Sequence, residues 1–157
     1  MGVSGVGKTT IGQLLAHRLA CEFLDADDFH PPANVAKMAA GTPLEDADRW
    51  PWLDRLNVLL RERAARGASA VLACSALKHA YRERLCGGVA RCRLVYLHAD
   101  ARVLRARLAA RTHRYMPPSL LDSQLATLEP PENAIAVDAA APPERCAEVI
   151  AAALTWP

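Results

Sequence analysis

In MGVSGVGKTT, Gly2, Gly7, Lys8 and Thr9 satisfy the pattern G-x-x-x-x-G-K-[ST]. Glycines let a backbone fold its N–H groups into a nest around phosphate oxygens. Lys8 adds a compact charge between phosphates, and the Thr9 hydroxyl is placed to ligate Mg²⁺. Gly2, Ser4, Gly5, Val6, Gly7, Lys8, Thr9 and Thr10 are therefore the expected nucleotide-binding residues. A helix opening near Thr9 would aim its positive N-terminal end at the same anion. The dinucleotide pattern G-x-G-x-x-G does not fit, because after Gly5 and Gly7 its third glycine position is Thr10. Further along, FLDADDFH supplies carboxylates. Read as the end of a strand, it puts Asp25 and Asp27 on one side, with Asp28 turned away. Phosphoryl transfer needs one carboxylate near the metal and another near the acceptor hydroxyl. Asp25 is expected in the metal's shell, Asp27 as the group that accepts the proton.

Positioning these groups requires strands and helices. Short apolar runs at 22–25, 70–74, 94–98 and 134–137 alternate with amphipathic stretches near 9–20, 46–66, 76–86, 101–111, 118–128 and 143–154. That alternation predicts an α/β domain with a parallel sheet covered on both faces. Only Met1 precedes the glycine loop, where this architecture places a central strand, so the first strand is expected to be missing. The proline-rich segment from His30 to Trp52, read as loop and short helix, and the break THRYMPP at 112–118 interrupt the alternation. Such connections in a compact domain are commonly binding loops or lids. Trp50 and Trp52, on either side of Pro51, are expected to wedge the first of these against the core.

The 157 residues suit one domain, and 52% hydrophobic with 23% charged content describes a folded, soluble chain. No apolar run reaches the roughly 20 residues of a membrane-spanning helix, and no secretory leader is legible. A net charge of +2 is too small to argue for nucleic acid or an anionic membrane. Cys21, Cys74, Cys86, Cys92 and Cys146 lack C-x-x-C spacing, so they are read as small buried hydrophobes in a reducing, cytoplasmic setting.

The blocks MGVSGVGKTT, FLDADDFHPPANVAKMAAGTPLEDADRWPWL, VLACSALKHAYRERL and LLDSQLATLEPPE, in this order, resemble bacterial gluconokinase of the small P-loop type. The resemblance implies ATP and Mg²⁺ as cofactors, D-gluconate phosphorylated at its 6-hydroxyl, and a homodimer. Its fold belongs with shikimate and nucleoside-monophosphate kinases: a parallel sheet, an acceptor-binding segment (about 30–66) and a lid (about 111–119). A related kinase such as shikimate kinase, or a non-catalytic nucleotide-binding paralogue, is the alternative.

Gluconate carries a carboxylate and several hydroxyls, so its pocket needs cations and hydrogen-bonding groups. His30 and Arg49 of the acceptor segment, with Ser75, Lys78 and Arg82 of CSALKHAYR, are the expected substrate contacts, whereas Lys37 is equally well read as solvated. Lys78 and Arg82, four apart, would share a helical face. Arg suits the carboxylate through its fork, and Lys a phosphate or hydroxyl. His30 is expected to orient substrate; His17, His79, His98 and His113 have ordinary roles. Kinases of this build close a lid carrying cations over the phosphates, and Arg107 and Arg111 are its candidates. Arg114 stands where the family commonly has histidine. Gln124, Thr127 and Glu129 match the family without a role that spacing reveals.

Overall fold

Four short apolar runs become strands that pair in parallel. In the computed structural model, which describes residues 1–110 and 119–154, β1 (Glu22–Asp25) pairs with β2 (Ala70–Ala73) in the register Glu22↔Ala70 to Asp25↔Ala73. β3 (Val95–His98) pairs with β4 (Ile135–Asp138), from Val95↔Ile135 to His98↔Asp138. The backbone of Met1 and Gly2 joins the two pairs. Leu97 N–H donates to the Met1 carbonyl at 2.9 Å, and Gly2 N–H donates to the Ser75 carbonyl at 3.2 Å.

Helices cover both faces, as parallel strands require. α1 (Lys8–Arg18) packs on α7 (Pro143–Ala153) and on β2. With α5 (Ala101–Ala109) and α6 (Ser119–Thr127), this side holds the core of Val3, Val6, Ile11, Leu97, Leu104, Leu108, Leu121 and Ile150. α3 (Asp46–Ala65) packs on α4 (His79–Cys86), and that side buries Trp52, Leu53, Leu56, Tyr81 and Leu85 with Met1, Ala26 and Cys74. No described helix is long and apolar enough to cross a membrane.

Three sequence expectations can be set beside the structure. First, the segment from His30 to Trp52 is loop and short helix leading into a longer helix, as expected. α2 (Pro32–Ala39) starts at a proline, which suits a first helical turn, and α3 runs through Pro51. Pro51 cannot donate to the Ala47 carbonyl, but the buried Trp52, Leu53 and Leu56 just beyond it hold the helix in place. Second, the helix expected from residue 76 starts at His79. Ala76 takes φ +42° and Lys78 an extended conformation, so residues 74–78 form a shaped loop. Third, Cys86 and Cys92 are not buried hydrophobes but are joined as a disulfide; Cys74 and Cys146 are buried as expected, and Cys21 is half-buried. A turn at Gly87 and Gly88, the latter at φ +69°, folds the chain back beyond α4, a short-range closure that cysteine spacing did not suggest.

Candidate active site

The glycine loop is shaped by its own backbone and by its neighbours. Gly2 has φ +146°, and a Cβ there would stand 2.4 Å from the Leu97 carbonyl oxygen. Gly5, at φ +81°, lies under α5, where a Cβ would meet the Leu108 side chain at 3.0 Å. Gly7 takes a left-handed conformation as the N-cap of α1, and no side chain caps that helix. The first intrahelical bond runs from Ile11 N–H to the Gly7 carbonyl, 2.9 Å. The first-turn N–H groups are thus left for an anion, aided by the helix dipole. Lys8 Nζ folds back to donate to the Val3 carbonyl at 3.1 Å. Burial lowers the Lys8 pKa, with Asp27, Cys74 and Asp25 opposing that shift.

Thr9 and Asp25 are brought together: Thr9 Oγ1 donates to Asp25 Oδ2 at 2.9 Å. β1 ends at Asp25, and a single 3-10 turn follows over Ala26–Phe29. Strand alternation therefore does not position Asp27. Instead, Asp25 Oδ1 accepts from the Asp27 N–H at 3.2 Å and caps the turn. Desolvation and then the Asp25 charge push the Asp27 pKa up, against the pull of Lys8.

His30 follows, and its setting is apolar. Its ring stacks on Trp52 with centroids 4.2 Å apart at 14°. Trp52 Nε1 donates to the Ala26 carbonyl at 2.8 Å, so the indole wedges the turn against α3. Asn34, one helical turn on, stands 3.4 Å from His30 Nδ1 and donates to the Asp48 carbonyl at 2.9 Å. With Asn34 Nδ2 as donor, His30 Nδ1 accepts and the ring proton sits on Nε2, 3.8 Å from Asp27 Oδ1. Burial and the Arg49 charge lower the His30 pKa to about 4. The ring is neutral through the physiological range.

Across from it, Arg49 donates to the Leu44 carbonyl at 3.3 Å and lies over the Tyr81 ring, 5.7 Å from its centroid. Lys78 binds both oxygens of Asp46 at 2.8 Å, and the Tyr81 hydroxyl donates to the same carboxylate. These bonds hold the Asp46 pKa down and the Lys78 pKa up. Lys37 is paired with Asp48 at 2.7 Å.

Arg82 takes another path. Its side chain is buried, and Nη1 donates to the Ala76 and Leu77 carbonyls at 3.2 and 2.9 Å. The shared helical face expected for Lys78 and Arg82 does not form, because Lys78 precedes the helix in extended backbone and turns toward α3. Ser75 contributes its carbonyl to Gly2 N–H. Arg107 lies in the last turn of α5, half-buried, and its charge reaches Cys146 of α7. Arg111 and Arg114, with His113 and the rest of the lid at 111–118, lie outside the described residues.

Sequence reasoning missed Asn34, Asp46, Tyr81 and the partners of Gln124 and Glu129. Asn34 and Tyr81 carried a weak signal, lying one helical turn from His30 and from Lys78. Gln124 carried none: its Oε1 accepts from Ser4 N–H at 2.7 Å, across 120 positions of sequence.

Among the described residues, no three His, Cys, Asp or Glu side chains gather at a point that could hold a metal ion. An oxygen-seeking cation would have Thr9 and Asp25 from the protein, with the remaining ligands from phosphate and water, as Mg²⁺ favours.

Residues 1–131 match a family model described as the AAA domain. A gluconokinase of Gluconobacter oxydans is 52% identical over 131 residues, covering 83% of this chain and 74% of that one. Among solved structures, an unliganded sugar kinase from a Janibacter species superposes with a TM-score of 0.88 at 46% identity, covering 99% of this chain and 90% of its own. A gluconokinase from Sinorhizobium meliloti gives 0.84 at 41% identity, covering 97% and 87%.

Proposed function

The chain belongs to the gluconokinase family, and we propose that its site transfers the γ-phosphoryl group of ATP to the 6-hydroxyl of D-gluconate, giving 6-phospho-D-gluconate and ADP. The observation that carries this reading is the run Thr9–Asp25–Asp27. Two bonds, of 2.9 and 3.2 Å, tie the phosphate loop to the turn that bears the candidate base.

The loop of residues 2–10 binds the triphosphate through the backbone N–H groups that its own bonds leave available. Lys8 exchanges its contact with the Val3 carbonyl for the phosphate oxygens, where its charge is stabilised. Thr9 and Asp25 hold Mg²⁺, which when bound neutralises developing charge on the β- and γ-phosphates. The substrate 6-oxygen attacks the γ-phosphorus as the bond to the ADP oxygen breaks. Asp27 takes the hydroxyl proton as the new oxygen–phosphorus bond forms. His30, neutral and locked by Trp52 and Asn34, presents an N–H beside Asp27 and orients the hydroxyl. Arg49 and Lys78 meet the gluconate carboxylate and hydroxyls, with Asp46 and Tyr81 as their neighbours. Arg82 supports the Ser75 loop through its carbonyl bonds and reaches substrate through the rest of its guanidinium. Arg107, in the last turn of α5, and Arg111 stabilise charge on the transferring group.

The test is a coupled ADP-release assay with gluconate, shikimate and a panel of sugars. Gluconate-dependent release is expected. Stimulation by shikimate but not by gluconate would overturn the assignment.

A further inference from the structure

One short stretch, Gln124–Glu129, touches both halves of the site. Gln124, on α6, accepts the Ser4 N–H at 2.7 Å, inside the phosphate loop. Five residues on, Glu129 N–H donates to the Leu77 carbonyl at 3.0 Å, and Glu129 Oε2 accepts from His79 N–H at 2.5 Å. The second bond caps α4, which has no other side-chain cap, directly after Lys78. Leu77 is also the residue whose carbonyl takes the buried Arg82. The stretch is tied in place between these points: Leu128 N–H closes back on the Gln124 carbonyl at 2.9 Å, and Leu121 of the same helix is fully buried.

The bond at Ser4 matters because of where it falls. Ser4 and Gly5 form the crest of a turn closed by Val6 N–H on the Val3 carbonyl, 3.4 Å. A crest bonded from outside cannot rotate its amide toward or away from a phosphate.

Resting on the kinase reading above, we propose that Gln124 and Glu129 are positioning residues: a strut that fixes the nucleotide loop and the Lys78–Arg82 acceptor loop at one separation. Each end governs its own ligand. Loss of the Gln124 bond loosens the phosphate loop, and loss of the Glu129 cap loosens the start of α4.

A hydrogen bond is worth about 0.5–1.5 kcal/mol net, or about two- to tenfold in an equilibrium constant, and the exposure of Glu129 keeps its carboxylate bond within that range. Gln124→Leu is therefore expected to weaken ATP binding, measured by calorimetry without gluconate, about fivefold, leaving the KM for gluconate at saturating ATP unchanged. Glu129→Leu should raise the KM for gluconate about fivefold and leave ATP binding alone. Glu129→Gln, which keeps an acceptor for His79 N–H, should restore most of that loss. Two results would overturn the strut. One is a lower melting temperature in both variants with ligand constants intact. The other is an equal effect of each variant on both ligands. Failure of the unaltered chain to phosphorylate gluconate would instead strike the kinase reading, while the ATP-binding arm would still be scored.

Discussion

On the phosphate side, residues 2–7 are held by backbone geometry, with glycines at φ +146°, +81° and +97° packed against β3, α5 and α1 in turn. On the acceptor side, between the 3-10 turn, α3 and α4, the groups are side chains, and most of the cations are already engaged. Lys78 holds Asp46, Lys37 holds Asp48, and Arg82 holds two carbonyls. A site made of backbone presents donors that need no reorganisation when an anion arrives. A site made of paired side chains must exchange partners, so its substrate competes with the protein's own carboxylates. The first suits a ligand moiety common to many enzymes. The second suits discrimination, because only a substrate that supplies matching oxygens compensates for the broken pairs.

Separate roles for the two sides can be tested from the largest expected effect downward. Asp27→Asn should lower kcat by about 10²–10⁴-fold, the usual scale for a lost general base. ATP affinity in a binding assay should stay near normal. An equal loss of ATP affinity would mean that the sides do not separate at this turn. Gly2→Ala should cost about 3 kcal/mol or more in denaturant titration, since both the positive φ and the Leu97 carbonyl oppose a Cβ. A stable variant would show that the loop is less constrained by β3 than its contacts imply.

The His30 environment gives a pH signature with a definite sign. Its pKa falls to about 4 in the folded chain from an unfolded value near 6.5. The unfolded chain therefore binds the extra proton between these values, and stability falls as pH drops through that window, by at most about 3 kcal/mol. Above about pH 6.5 the contribution is constant. Urea titrations at intervals across the range should show this slope, and His30→Gln should flatten it. Smallest in stability is the half-buried Lys78–Asp46 pair. Lys78→Met should leave the melting temperature unchanged within error yet raise the KM for gluconate about tenfold, as expected for a lost charge-assisted contact. An unchanged KM would remove Lys78 from the acceptor side.

The same contrast explains what the sequence reveals. The loop was legible because its chemistry needs glycines at fixed spacing, and β1 was legible from four apolar-rich residues bounded by a turn. Asp25 and Asp27 were found for partly the wrong reason: a cap and a 3-10 turn, not a pleat, bring them into place. The family resemblance makes Arg82 a substrate contact, against the ordinary reading of a basic helical face as solvated. Only the fold shows that Ala76, at φ +42°, turns two carbonyls onto it. Gln124 and the Cys86–Cys92 pair depend on chain reversals that leave no period in the sequence.

The stacking of His30 on Trp52 also makes the acceptor side optically addressable. An indole 4.2 Å from an imidazole, with its Nε1 proton fixed on the Ala26 carbonyl, emits from an apolar setting. Any event that shifts the 3-10 turn, whether arrival of the acceptor hydroxyl at Asp27 or protonation of His30, changes the distance across that stack. The Trp52 share of the chain's intrinsic fluorescence, beside that of Trp50 and Trp156, thus offers a reporter of acceptor binding located in the site itself.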